Sequence, residues 1–98
     1  MNEVYETNIF TNLYESAEKS EQEWIDKIKK QLGENLNVGK SLKFEWFREK
    51  KLKDKRLYYL VNFKTNKAIL LAFGPKKEQQ NIISHVLQNK ERYLKFIS

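Results

Sequence analysis

The apolar and polar positions of this chain change period along its length. Phe10, Leu13, Tyr14 and Ala17 recur at helical spacing, with Glu15, Glu18 and Lys19 between them, and predict one amphipathic helix. Trp24, Ile25, Ile28 and Leu32 form a second apolar stripe. It is entered through SEQE at 20–23, a Ser-x-x-Glu capping box, and is expected to stop at Gly33. Almost no linker separates the two, so they predict an α-hairpin whose stripes face a core. Ahead of them, residues 4–7 alternate weakly and predict a short first strand.

After the polar connection ENLNVGKS the period becomes two. Leu42, Phe44 and Trp46 alternate with Lys43 and Glu45, until Phe47 interrupts and predicts a bulge or strand end at 46–47. LYYLVNF at 57–63 is apolar or aromatic at both parities, as a central strand requires. KTNK at 64–67 reads as a hairpin turn, and AILLAF at 68–73 as a buried strand closed by Gly74 and Pro75. Ile82, Ile83, Val86, Leu87, Tyr93, Leu94 and Ile97 return to near-helical spacing and predict a last helix that breaks near 89–90. The order is β-α-α-β-β-β-α. It predicts an α+β fold, helices on a small, mainly antiparallel sheet whose last three strands form a meander, in a single domain spanning 1–98.

Composition then removes whole classes of chemistry. There is no cysteine, hence no disulfide and no thiolate site. The one histidine, His85, lies among apolar residues of the last helix and supplies neither a zinc set nor a nucleophilic triad. No glycine-rich phosphate loop and no catalytic pair of carboxylates is evident, so neither cofactor nor metal is expected. No apolar run nears the roughly 20 residues of a membrane span. The acidic opening MNEVYETNIF lacks the layout of a signal peptide, which leaves a cytoplasmic protein as the expectation.

Charge changes the picture most, because the net +6 is segregated. Residues 1–39 carry eight carboxylates against four lysines, whereas residues 40–77 carry twelve Lys or Arg against Glu45, Glu49 and Asp54. The densest stretch is FREKKLKDKRLYY at 47–59, basic side chains bracketed by aromatics. A polyanion, nucleic acid above all, is the expected partner. Lysines on strands also deter edge-to-edge pairing, which is the plainer account of the same residues.

VGKSL at 38–42, FREKK at 47–51, RLYYLV at 56–61 and KKEQQ at 76–80, in that order, resemble the RelE/ParE superfamily of type II toxin–antitoxin toxins, most closely its archaeal RelE-like branch. The resemblance covers nearly the whole chain. It implies a basic toxin that enters the ribosomal A site and cleaves mRNA there by attack of the ribose 2′-hydroxyl on the adjacent phosphate, without metal. ParE-type members instead inhibit DNA gyrase and lack that nuclease activity. Both kinds are silenced by a cognate antitoxin.

The resemblance also assigns residues. Arg56, Lys50, Lys51 and Lys77 are expected to be catalytic, and Arg48, Lys53, Lys55, Lys76 and Gln80 to contact RNA. Arg56 suits a scissile phosphate through its bidentate guanidinium. Lys50 and Lys51 can hold phosphates or, with a lowered pKa, move a proton. Lys76 and Lys77 open the last helix, where free backbone N–H groups also favour an anion. Arg48 has a structural alternative, pairing with Glu49. One departure matters: family members carry a Tyr or His near the C-terminal end that stacks on a base or moves a proton, and none follows Lys77 closely. A binding-only homologue therefore stands beside the nuclease.

Overall fold

In a computed structural model that describes residues 1–98, the segment apolar at both parities lies in the middle of the sheet. The elements are β1 (Glu3–Glu6), α1 (Asn8–Ser16), α2 (Lys19–Glu34), β2 (Lys40–Ser41), β3 (Phe47–Leu52), β4 (Lys55–Asn62), β5 (Lys67–Pro75), a 3-10 turn (Lys76–Glu78), α3 (Gln79–Gln88) and α4 (Lys90–Lys95). One five-stranded sheet runs in the order β1-β5-β4-β3-β2. All its pairs are antiparallel except β1 with β5, which is parallel. The α+β architecture and the meander of the last three long strands are as expected.

β4 divides two cores. Leu57, Tyr59 and Val61 face the α-hairpin and pack with Phe10, Ile25, Ile28 and Leu32. Tyr58 and Leu60 face the terminal helices and pack with Ile83, Val86, Tyr93 and Ile97. Side chains that alternate across a strand are thus buried on both sides, which is why no polar residue interrupts 57–61. Tyr58 and Tyr59 face Ala72 and Leu70, so Leu71 is the extra residue of a bulge in β5.

Several boundaries differ from expectation. Residues 42–46 are not a strand: the Leu42 N–H reaches the Phe47 carbonyl at 2.8 Å and the Phe47 N–H reaches that of Phe44 at 3.1 Å, folding the segment on itself. Its alternating apolar side chains stack instead, Phe44 on Trp46 with centroids 5.0 Å apart. The capping box is real but starts at Glu18, whose side chain exchanges hydrogen bonds with the Glu21 position, so Ser20 lies inside α2. Gly33 does not end α2, which runs on to Glu34. The carbonyls of Leu32 and Gly33 accept from the Asn2 side chain and backbone at 3.0 and 2.9 Å. β5 continues through Gly74 and Pro75. The terminal helix does break at Asn89, whose N–H is shared between the carbonyls of His85 and Val86. No helix is long and apolar enough to cross a membrane.

Candidate polyanion-binding cleft

Pleat alternation decides which basic side chains of the β3–β4 hairpin can meet. The register pairs Lys51 with Arg56, Glu49 with Tyr58 and Phe47 with Leu60, all on the face that carries α3 and α4. Arg48 opposite Tyr59, and Leu52 opposite Lys55, stand on the α2 face. The two-residue tip between the strands holds Lys53 at φ +53°.

Beside the hairpin lies an open cleft of about 500 Å³ with no hydrophobic residue in its wall. Lys50, Lys51 and Arg56 line it from the hairpin, Lys40 from β2, Lys76 from the 3-10 turn and Gln79 from the start of α3. Glu49 is its one carboxylate, against five cationic groups. Such a surface concentrates anions, and the site has none of the apolar lining of a small-molecule pocket. No group of histidine, cysteine or carboxylate side chains is arranged to hold a metal ion.

Arg56 is nearly buried and heavily committed. Its Nη1 donates to the Lys53 and Lys55 carbonyls at 3.1 and 3.0 Å, and its Nε lies 3.3 Å from Glu49 Oε1. Gln79 Nε2 donates to the same carboxylate oxygen at 3.2 Å. Nη2 of Arg56 makes no hydrogen bond within the protein and Nε makes only the ion-pair contact with Glu49, so a two-pronged grip on phosphate through this edge competes with Glu49.

Other expected residues fall elsewhere. Arg48 is structural: its guanidinium donates to the carbonyls of Asn37 and Gly39 at 3.1 Å, Val38 at 3.3 Å and Glu45 at 3.4 Å. It ties down the connection before β3 through backbone carbonyls, and it does not line the cleft where an RNA contact was the expectation and a structural pairing the alternative. Tyr59, fully buried beside it, donates its hydroxyl to Val38; burial pushes its phenol up to about 12, with Arg48 offsetting part. Lys55 reaches the other way, to a salt bridge with Glu21 on α2 and over the Phe73 ring. The Glu21 hydrogen bond raises the Lys55 pKa, and Lys55 in turn lowers that of Glu21. Lys53 is exposed at the tip, and Lys77 and Gln80 are exposed outside the cleft wall. Of the expected pair Lys76 and Lys77, only Lys76 lines the cleft, and Gln79 lines it where Gln80 was expected. Of the N–H groups that open this turn, that of Lys76 is already committed, donating to the Asp54 carbonyl at 2.8 Å.

Sequence reasoning missed Lys40 and Glu49. Lys40 lies within VGKSL, and the signal for its role was Gly39. Gly39 has φ +78°, and an added Cβ there would overlap the Tyr59 hydroxyl and the Glu49 backbone. That close approach brings the segment onto β3 and Lys40 to the cleft rim.

No protein-family model and no curated protein matches the chain. Among solved structures it is similar to the Escherichia coli toxin RelE, determined as a double arginine-to-alanine mutant in complex with an antitoxin RelBc peptide. The TM-score is 0.68 over 87% of this chain and 94% of that one, with 13% sequence identity. An identity so low beside such an overlap is a statement about architecture: the chain has a RelE-like toxin fold.

Proposed function

We propose that this protein is a RelE-like toxin of a type II toxin–antitoxin system, of the archaeal RelE-like kind, that acts in the cytoplasm on translation. It is read as a single toxin domain over 1–98. It binds mRNA in the ribosome and cleaves it by attack of a 2′-hydroxyl on the adjacent phosphate, and a cognate antitoxin silences it. The observation that carries this reading is the cleft wall of Lys40, Lys50, Lys51, Arg56 and Lys76, which is wholly polar and strongly cationic. Phosphoryl charge that grows in such a transition state is stabilised by preorganised cations, so no metal is required of the site. Lys51 and Arg56, cross-strand partners, and Lys76 opposite them are the groups assigned to the phosphates.

The antitoxin is supported by the peptide bound to the structurally similar toxin. A second support is exposed apolar surface: Ile9 and Phe96 are 60% and 58% exposed beside a groove between α1 and α4.

A specific observation favours a second reading, a toxin homologue that inhibits by binding alone, as ParE-type proteins do. No Tyr or His side chain lines the cleft, which leaves proton transfer there to Lys50, Lys51 or Glu49. Addition of the protein to a ribosome-containing translation extract separates the readings. The nuclease arrests synthesis and leaves new mRNA ends at stalled ribosomes. Arrest with intact mRNA would favour binding alone, and undiminished synthesis at saturating protein would end the toxin reading on this target.

A further inference from the structure

Tyr58 is fully buried, and its hydroxyl proton is donated to no acceptor within the protein. Phenylalanine would fill the same space without that cost, so the hydroxyl calls for an explanation. Its direct cross-strand partner on the same sheet face is Glu49. Glu49 is itself nearly buried, and its Oε1 is held by both Arg56 and Gln79. Burial pushes the Tyr58 phenol up; a hydrogen bond from the Gln79 amide to the phenol oxygen and the Arg56 charge work against this, and Glu49 adds to it. An unused donor thus sits under a carboxylate that blocks the best phosphate ligand of the cleft.

We propose that Glu49 is a displaceable internal anion: an incoming RNA phosphate takes Arg56, and the released Glu49 carboxylate accepts a hydrogen bond from the Tyr58 hydroxyl. The inference rests on the polyanion reading of the cleft. A buried carboxylate stripped of its cation is costly unless another donor receives it. A phenol O–H bonded to a carboxylate is a strong, charge-assisted pair. The Gln79 amide can follow Oε1 through the move, since it is anchored at the first residue of α3. The device makes the cleft selective. A lone anion must compete with a built-in carboxylate, whereas a phosphate chain brings further contacts with Lys40, Lys51 and Lys76 that carry the exchange.

The test uses the full chain and a 2′-O-methyl RNA oligonucleotide, which cannot be cleaved, with affinity read by fluorescence anisotropy. Glu49→Gln binds about tenfold more tightly than wild type, a change of about 1.4 kcal/mol. Glu45→Gln, the same charge change at an exposed position outside the cleft, gains far less, and its gain fades with added salt. Tyr58→Phe binds several-fold more weakly although its melting temperature is equal or higher. The double variant binds as Glu49→Gln does, because nothing remains to be received; this non-additivity separates a switch from two independent effects. Binding by wild type that depends on Lys51 and Lys76, with Glu49→Gln no better than Glu45→Gln or Tyr58→Phe unchanged, overturns the switch and leaves the polyanion reading standing. Binding by Glu49→Gln but not by wild type overturns the displacement, since Glu49 then blocks the cleft without yielding, and leaves the polyanion reading standing. Binding by neither overturns both.

Discussion

The two faces of the β3–β4 hairpin begin with the same kind of residue and end with opposite roles. On the α2 face, Arg48 is consumed by four backbone carbonyls and Lys55 by Glu21. On the other face, Lys51 stays exposed beside Arg56, and the nearby acidic side chain is Glu49 of the same hairpin. The acidic N-terminal half of the chain explains the asymmetry. α2 supplies the Glu21 carboxylate to Lys55 on its own face, and no carboxylate of the N-terminal half reaches the cleft wall. Positive charge is left over for a ligand at the cleft, where Glu49 alone stands against five cationic groups.

That contrast can be broken from either side. Arg48→Ala removes a buried guanidinium and leaves its part-buried carbonyl partners without it, and is expected to cost about 2 kcal/mol in chemical denaturation. The folded fraction should still bind RNA as wild type does. Lys51→Ala/Lys76→Ala should do the reverse: stability unchanged within about 0.5 kcal/mol, RNA affinity lower by roughly 10–100-fold, and a salt slope reduced by about two. If the second pair unfolds the protein, or Arg48→Ala alone abolishes binding by folded molecules, the division of labour between faces is wrong.

Acid gives a smaller effect on the α2 face. The Lys55 hydrogen bond holds Glu21 below its ordinary value. Burial pushes Glu6 up, but hydrogen bonds from Lys29 and Thr11 more than offset this and leave it lowered. Carboxylates with depressed folded values contribute stability that is whole above the usual 4.5 and is lost as pH falls through the lower folded values. Thermal melts should therefore decline in that window, and Glu21→Gln should flatten part of the decline. Smallest of all, Lys53→Gly relieves a positive φ at the tip and should stabilise by about 0.5 kcal/mol, with denaturant midpoints as the measure.

Much of the fold was readable because local pattern and tertiary role agreed. The double-parity run 57–61 had to be central, and the stripe through Ile25, Ile28 and Leu32 had to face a core. Failures came where a long-range partner outweighed a local signal. Asn2 takes the carbonyls that Gly33 would have terminated, and aromatic stacking at 44–46 imitates strand alternation. The cleft was read as a basic neighbourhood, with Lys50, Lys51, Arg56 and Lys76 in it. The parity of each side chain depended on where β3 begins, and the misread strand at 42–46 hid that. Of the expected pair Lys76 and Lys77 the cleft wall takes only Lys76, because side-chain direction in a 3-10 turn rotates by about 120° per residue, and it takes Gln79 where Gln80 was expected.

β1 joins β5 through pairs such as Glu3 with Lys67, sixty-four positions apart. Closing so long a loop is entropically slow, while the meander of β3, β4 and β5 closes over short turns. Assembly is therefore expected to start at the hairpins and finish with the N-terminal strand. During synthesis that strand leaves first yet waits longest for its partner. Hydrogen exchange should show the amides of β1 opening before those of β4, and equal protection would mean that the sheet forms as one unit.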